Sequence, residues 1–245
     1  MMFKVAAIAS AVVADAARRK VVWVVVVFAA LLALAIPALP SYGVGVVGAI
    51  FREVSIALMY SGALVVALVL SATRIPVEVE RRTVFNVISR DVRRWQYIAG
   101  TWLGMFVVLG IVLALFAVAT IGFGLMTYHI AMWRLLEAAF AVWLEMGVIM
   151  ALAVMLSSQF GPVTTVVGAL SFAFVGHAAI ALLGLPEGVR PPWYIPSLDV
   201  FNVISPVAHG SGYGLAYALS MVVAFAAWVS LLLIAGGALF ARRDL

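Results

Sequence analysis

Glu145 is the residue whose position most needs a chemical explanation. It lies well inside an apolar stretch, about 135–156, with Glu137 two helical turns before it. An acidic group at bilayer depth costs on the order of 2.5–3.5 kcal/mol on insertion scales, so it must face a protein interior or an aqueous cavity. There it would serve as a substrate or proton site. The alternative is a structural pair with Arg134 or a donor on another helix, with Glu137 simply near the outer surface. Three histidines widen the choice: His177 within a second apolar stretch, about 163–185, and His129 and His209 in connections. His177 and Glu145 could act as acid/base partners in an intramembrane enzyme, but nothing in the sequence brings them together. Met146 and Met150 lie one turn apart, and thioethers suit copper(I). Methionine is also an ordinary packing residue, no His/Met cluster is close in sequence, and cysteine is absent. No metal site is expected.

The missing motifs narrow the chemistry further. The sequence holds no Gly-x-x-x-x-Gly-Lys-Ser/Thr loop to cradle ATP phosphates, no His-Glu-x-x-His and no Gly-x-Ser-x-Gly. The chain is therefore not expected to be an enzyme by itself. If ATP drives it, a separate polypeptide binds the ATP and magnesium.

The second chemically dense stretch is charged. Six of the chain's 15 Lys+Arg lie between Arg74 and Arg94, with Glu78, Glu80 and Asp91 among them. Apolar runs long enough to cross a bilayer flank this segment on both sides. It reads as a solvated loop, 74–96, whose arginine excess places it in the cytoplasm. Within it, Arg81 to Ser89 has helical spacing, with Val84, Val87 and Ile88 on one side. A generic positive-inside anchor would look similar in charge alone.

The order of residues goes beyond charge. Glu80-Arg81-Arg82-Thr83 runs through Ser89-Arg90, and Arg94-Trp95-x-Tyr97 leads into Gly100-x-x-Leu103-Gly104. That order resembles the first cytoplasmic loop of ABC-2 type permeases, in particular the branch named for multicopper-enzyme maturation. Tyr194-x-Pro196 with Phe201-Asn202 looks like that family's loop before its last span, and Phe240-x-Arg242-Arg243-Asp244-Leu245 like its C terminus. The resemblance thus extends over the whole chain. It implies an exporter's permease subunit, paired with an identical or homologous subunit and with two cytoplasmic ABC ATPase subunits. It also implies a coupling helix that docks on the ATPase, with Glu80, Arg81, Arg82, Thr83, Asn86, Arg90 and Arg94 as the coupling residues. Two departures stand out: Thr101 replaces the usual lysine, and Asp91 stands where many members have proline. The start of the third span is therefore expected to be positioned differently.

Composition sets the elements that must carry these residues. The 245 residues are 67% hydrophobic and 10% charged, with mean hydropathy +1.22, against about 25% charged in a soluble domain. A span needs about 20 apolar residues, so six spans and their connections use the length as a single all-α polytopic membrane domain, 1–245. Met1 to Lys20 reads as an amphipathic elbow helix on the membrane, with Val5, Ile8, Ala9, Val12 and Val13 on one face. Spans follow at about 21–39, 54–73, 97–125, 135–156, 163–185 and 215–240. Glycines before Val54 read as turns, and Gly100 with Gly104 as a small-x-x-x-small contact for another helix. The segment 186–212 is an outer loop in which 198–204 is too short to cross and reads as a re-entrant or interfacial turn. With both termini inside, twelve Lys/Arg fall on the cytoplasmic side and three outside, at Arg52, Arg134 and Arg190. The net charge of +5 is thus membrane anchoring, and no nucleic-acid partner is expected. The rival class is a stand-alone secondary transporter or channel using Glu145.

Overall fold

The computed structural model describes residues 2–18, 26–31, 34, 44–80, 92–129, 132–184, 197–203, 206–207 and 210–242. Among these the chain is all-helical. The helices are α1 (Met2–Arg18), α2 (Val44–Glu80), α3 (Arg94–Tyr128), α4 (Leu135–Ser157), α5 (Pro162–Leu182) and α6 (Leu215–Ala241). A short 3-10 turn, η1, spans Asp199–Phe201. Five helices are long and apolar enough to cross a membrane: Gly48–Glu78, Arg94–Thr127, Leu135–Ser157, Pro162–Ala179 and Leu215–Ala241. The first span expected, 21–39, falls largely outside the described residues; 26–31 and 34, the part of it that is described, are helical.

α4 is the hub. Its apolar residues run around its whole circumference, so no face must be given to water or lipid. As a span it is 72% buried, and it packs against α2, α3, α5, α6 and η1. Aromatic side chains lock three of these helices. Phe106 of α3 stacks on Trp143 of α4 with ring centroids 4.3 Å apart, and on Phe225 of α6 at 5.2 Å. Both indoles are anchored across the α3–α4 contact. Trp102 Nε1 donates to the Gly147 carbonyl at 3.0 Å, and Trp143 Nε1 to the Phe106 carbonyl at 2.9 Å. Gly147 makes this approach feasible, because a Cβ there would lie 2.5 Å from the Phe106 ring and 2.7 Å from that of Phe225.

α1 lies against α3. Ala9, Val12 and Ala16 are buried, so much of its apolar stripe meets protein rather than lipid. The contact runs through Gly100 and Gly104, where added Cβ atoms would sit 2.8 Å from Ile8 Cβ and 2.6 Å from Val12 Cβ. The small-x-x-x-small pair read from the sequence has found α1 as its partner.

α2 differs most from expectation. The glycine-rich stretch before Val54 is helical from Val44, and the helix passes through Pro76 to Glu80 instead of ending near Thr73. Residues 74–80 are therefore not a solvated loop, and Ile75 and Pro76 are buried. The reason is electrostatic. Arg74 Nη1 meets Asp15 Oδ2 of α1 at 2.6 Å, and its Nε meets Glu78 Oε1 at 2.6 Å, one turn on. Tyr97 of α3 donates its hydroxyl to Glu78 Oε2. Charges that find partners on neighbouring helices need not leave the helix for water. Beside them, Arg94 Nη1 donates to the carbonyls of Phe240 and Ala241 at 3.0 and 3.2 Å, bringing the end of α6 to the same end of the bundle.

Candidate functional site

Glu145 is the eleventh residue of α4, about 15 Å along it at 1.5 Å per residue, close to half the ~30 Å of a bilayer's hydrocarbon core. It is 1% exposed. A carboxylate so placed is tolerated only with hydrogen-bond donors around it, and two other helices supply them. The Tyr60 hydroxyl of α2 donates to Oε1 at 2.7 Å, and His177 Nε2 of α5 lies 2.7 Å from the same oxygen. Tyr60 Oη and His177 Nε2 are 3.1 Å apart, closing a triangle. With Glu145 ionised it can only accept, so Nε2 carries the hydrogen of its bond. All of these contacts use Oε1 and Nε2. Among the described residues, Oε2 of Glu145 and Nδ1 of His177 have no hydrogen-bond partner.

The three side chains meet because α2 and α5 both pack on α4 and on each other. A fourth element closes over them. Leu198 donates its backbone N–H to the Gly176 carbonyl of α5 at 3.1 Å. A Cβ on Gly176 would lie 2.7 Å from Leu198 Cγ, so glycine beside His177 is what seats this segment. Leu198, Phe201, Val203 and Val207 are buried, so the turn inserts into the bundle instead of lying on its rim. It places Phe201, Asn202 and Val203 over a cavity of about 290 Å³ that Tyr60, Glu145 and His177 line from the other side. Ile56, Ala138 and Val142 complete its wall. The site thus has one buried carboxylate, two groups that can exchange protons with it, and otherwise apolar walls.

No family model matches this chain, and no curated protein does. The reading of the site rests on its geometry.

Glu137, a candidate pathway residue with Glu145 and His177, does not line this cavity. It stands in the first turn of α4, where Oε2 accepts the Tyr213 backbone N–H at 3.1 Å and its carbonyl accepts the Tyr213 hydroxyl at 2.7 Å. It braces the turn that leads into α6. Gly212 in that turn has φ +47°, and a Cβ on it would collide with the Arg134 and Glu137 side chains. Burial first, then the Glu137 and Tyr217 side chains, pushes the Tyr213 phenol up to about 12.

The other expected residues divide by position. Glu80 is the exposed last residue of α2, and Arg94 opens α3. Arg81, Arg82, Thr83, Asn86 and Arg90 lie outside the described residues, as do Asp91 and His209. Thr101 is fully buried in α3 and lines the cleft under α1. His129 ends α3 in a left-handed conformation, φ 55°, and does not line the cavity. Among the described residues no three His, Cys, Asp or Glu side chains converge as metal ligands would. Sequence reading did not single out Tyr60. Its one signal was a phenol inside an apolar span, where the hydroxyl requires a partner.

Proposed function

We propose that this chain is the membrane permease subunit of an ATP-driven exporter, working with a separate cytoplasmic ATPase and a second permease subunit. The observation that carries the reading is the length of two helices. α2 and α3 have 37 and 35 residues, about 55 and 52 Å at 1.5 Å per residue, against a hydrocarbon core of ~30 Å. They flank the arginine-rich segment, so the excess length can hold it clear of the bilayer as a docking arm. The Asp15–Arg74–Glu78–Tyr97 bonds brace this arm to α1, and Arg94 ties it to the end of α6. Force applied at the segment would thus reach three helices at once.

The same reading has six crossings and both termini in the cytoplasm. α1 sits at the charged end of the bundle through Asp15, whereas α2 begins at Val44, thirty residues before Arg74 and about 45 Å away at 1.5 Å per residue. On this reading the chain between them crosses from one end to the other. Midway, Phe28 stacks on Phe116 of α3 with centroids 3.9 Å apart.

The test is affinity purification of the tagged full chain from its native membranes, with co-purifying ATP hydrolysis as the readout. Wild type is expected to bring ATPase activity with it, and the double variant Arg82→Ala, Thr83→Ala to lose at least tenfold at equal membrane levels. No associated ATPase, or an unaffected variant, overturns the reading. A second reading, a stand-alone transporter, is favoured by one observation: the Glu145–His177–Tyr60 cluster at mid-span. Substrate movement by the purified chain in liposomes without any ATPase would establish it.

A further inference from the structure

We propose that the cavity beneath η1 is a binding site for a small amphiphilic organic cation, whose ammonium group pairs with Glu145. The inference rests on the permease reading only for calling that cation a substrate; binding belongs to this chain alone. The first argument is charge. Glu145 is the one charged group lining the cavity among the described residues, and Asp199 adds a second negative charge toward His177 from η1. No described lysine or arginine lines it. A cation entering this space meets a negative field in a medium of low dielectric, where such attraction is strongest.

The second argument is valence. Glu145 is buried yet keeps Oε2 without a partner among the described residues, although it lines the cavity. That oxygen is open to the cavity rather than sealed, and an ammonium N–H entering there supplies it with a charge-assisted donor. The third argument is shape. Ile56, Val142, Phe201 and Val203 form apolar walls, and Tyr60 and Phe201 add aromatic rings. Rings attract cations through their faces and bury an attached apolar body. About 290 Å³ suits an amine bearing one ring or a short chain, not a lipid.

His177 makes the site sensitive to pH. The titratable groups facing it are Tyr60 from α2, Glu145 from α4 and Asp199 from η1, with Tyr217 of α6 facing Asp199. A protonated imidazole is itself a cation against Glu145 and competes with the ligand. Binding should therefore be tighter at pH 8 than at pH 6.

The experiment measures tritiated phenethylamine, protonated across this range, binding to the purified full chain in phosphatidylcholine nanodiscs without ATPase or nucleotide. Empty nanodiscs correct for partitioning. Binding is expected to be saturable, several-fold weaker at pH 6, and unaffected by excess 2-phenylethanol, its neutral counterpart. Glu145→Gln should weaken it at least tenfold. His177→Gln, which keeps a donor but cannot charge, should bind with the pH dependence gone. Equal binding by Glu145→Gln, displacement by 2-phenylethanol, or tighter binding at pH 6 overturns the proposal. Should Glu145→Gln not insert, an unchanged pH dependence in His177→Gln overturns it equally. A loss of ATPase association leaves this result untouched, so the two readings fail separately.

Discussion

Two donors from two helices converge on one oxygen of Glu145, so each should matter to stability only while that oxygen is charged. A hydrogen bond to a charged group contributes about 1.5–3 kcal/mol. Tyr60→Phe keeps the ring and removes the 2.7 Å bond, so it should lower unfolding stability by about that amount. In a Glu145→Gln background the same substitution should cost clearly less. The difference, read as a double-mutant cycle from thermal unfolding in detergent, measures the coupling. Additive costs would mean that the contact contributes nothing of its own. Tyr213 makes a separate prediction. Its folded-state pKa, about 12, lies above the ordinary 10, so the folded protein holds this proton more tightly. The contribution is complete below pH 10 and lost as pH rises through 12. Tyr213→Phe should flatten the fall in unfolding temperature across that window. Sequence alone made Glu145's problem legible, because depth in an apolar run is a local property. Its solution was not legible: Tyr60 lies 85 positions away and His177 lies 32, and only the packing of α2 and α5 on α4 brings them together.

Close helix contacts turn on single glycines. Gly104→Leu would drive a side chain into Val12 and the Ala9 backbone, which cannot move without shifting α1. The expected result is release of α1 with the five long helices intact. A cysteine at Val12, 3% exposed, should react with a maleimide at least tenfold faster in that variant than in the Gly104 parent. An unchanged rate would remove Gly104 from the contact. The start of each of the last four spans, α3 to α6, was readable to within about three residues, since apolar runs bounded by charge or glycine leave little freedom. Both ends of α2 were not. The glycines at 44–53 read as turns and the charges from 74 as a loop, yet both stretches are helical, since tertiary packing overrides local preference. The charges at 74 and 78 look like a water-facing edge in the sequence because Asp15, which joins Glu78 in pairing with Arg74, lies 59 positions before that arginine.

At the scale of the molecule, the bundle has a charged end and an opposite end, and the placement of α1 decides how often the chain crosses. Asp15 holds α1 beside Arg74, Arg93 precedes α3 at that same end, and Ser211 lies in the turn opposite, before α6. On the proposed six-crossing orientation, the positive-inside bias of twelve to three would put the charged end in the cytoplasm. Because the chain has no cysteine, single cysteines at Phe3, Arg93 and Ser211, all exposed, can report each position against a silent background. In intact cells an impermeant maleimide should label the Ser211 position alone, and Phe3 and Arg93 only after permeabilisation. Sharing of one side by Phe3 and Arg93 is the decisive result. It requires an even number of crossings between them, which α2 alone cannot supply, so residues 19–43 must contribute one. Labelling at Phe3 together with Ser211, with Arg93 protected, would leave five crossings. The docking of α1 on Gly100 and Gly104 would then have to be abandoned too, since a helix outside cannot pack at the cytoplasmic start of α3.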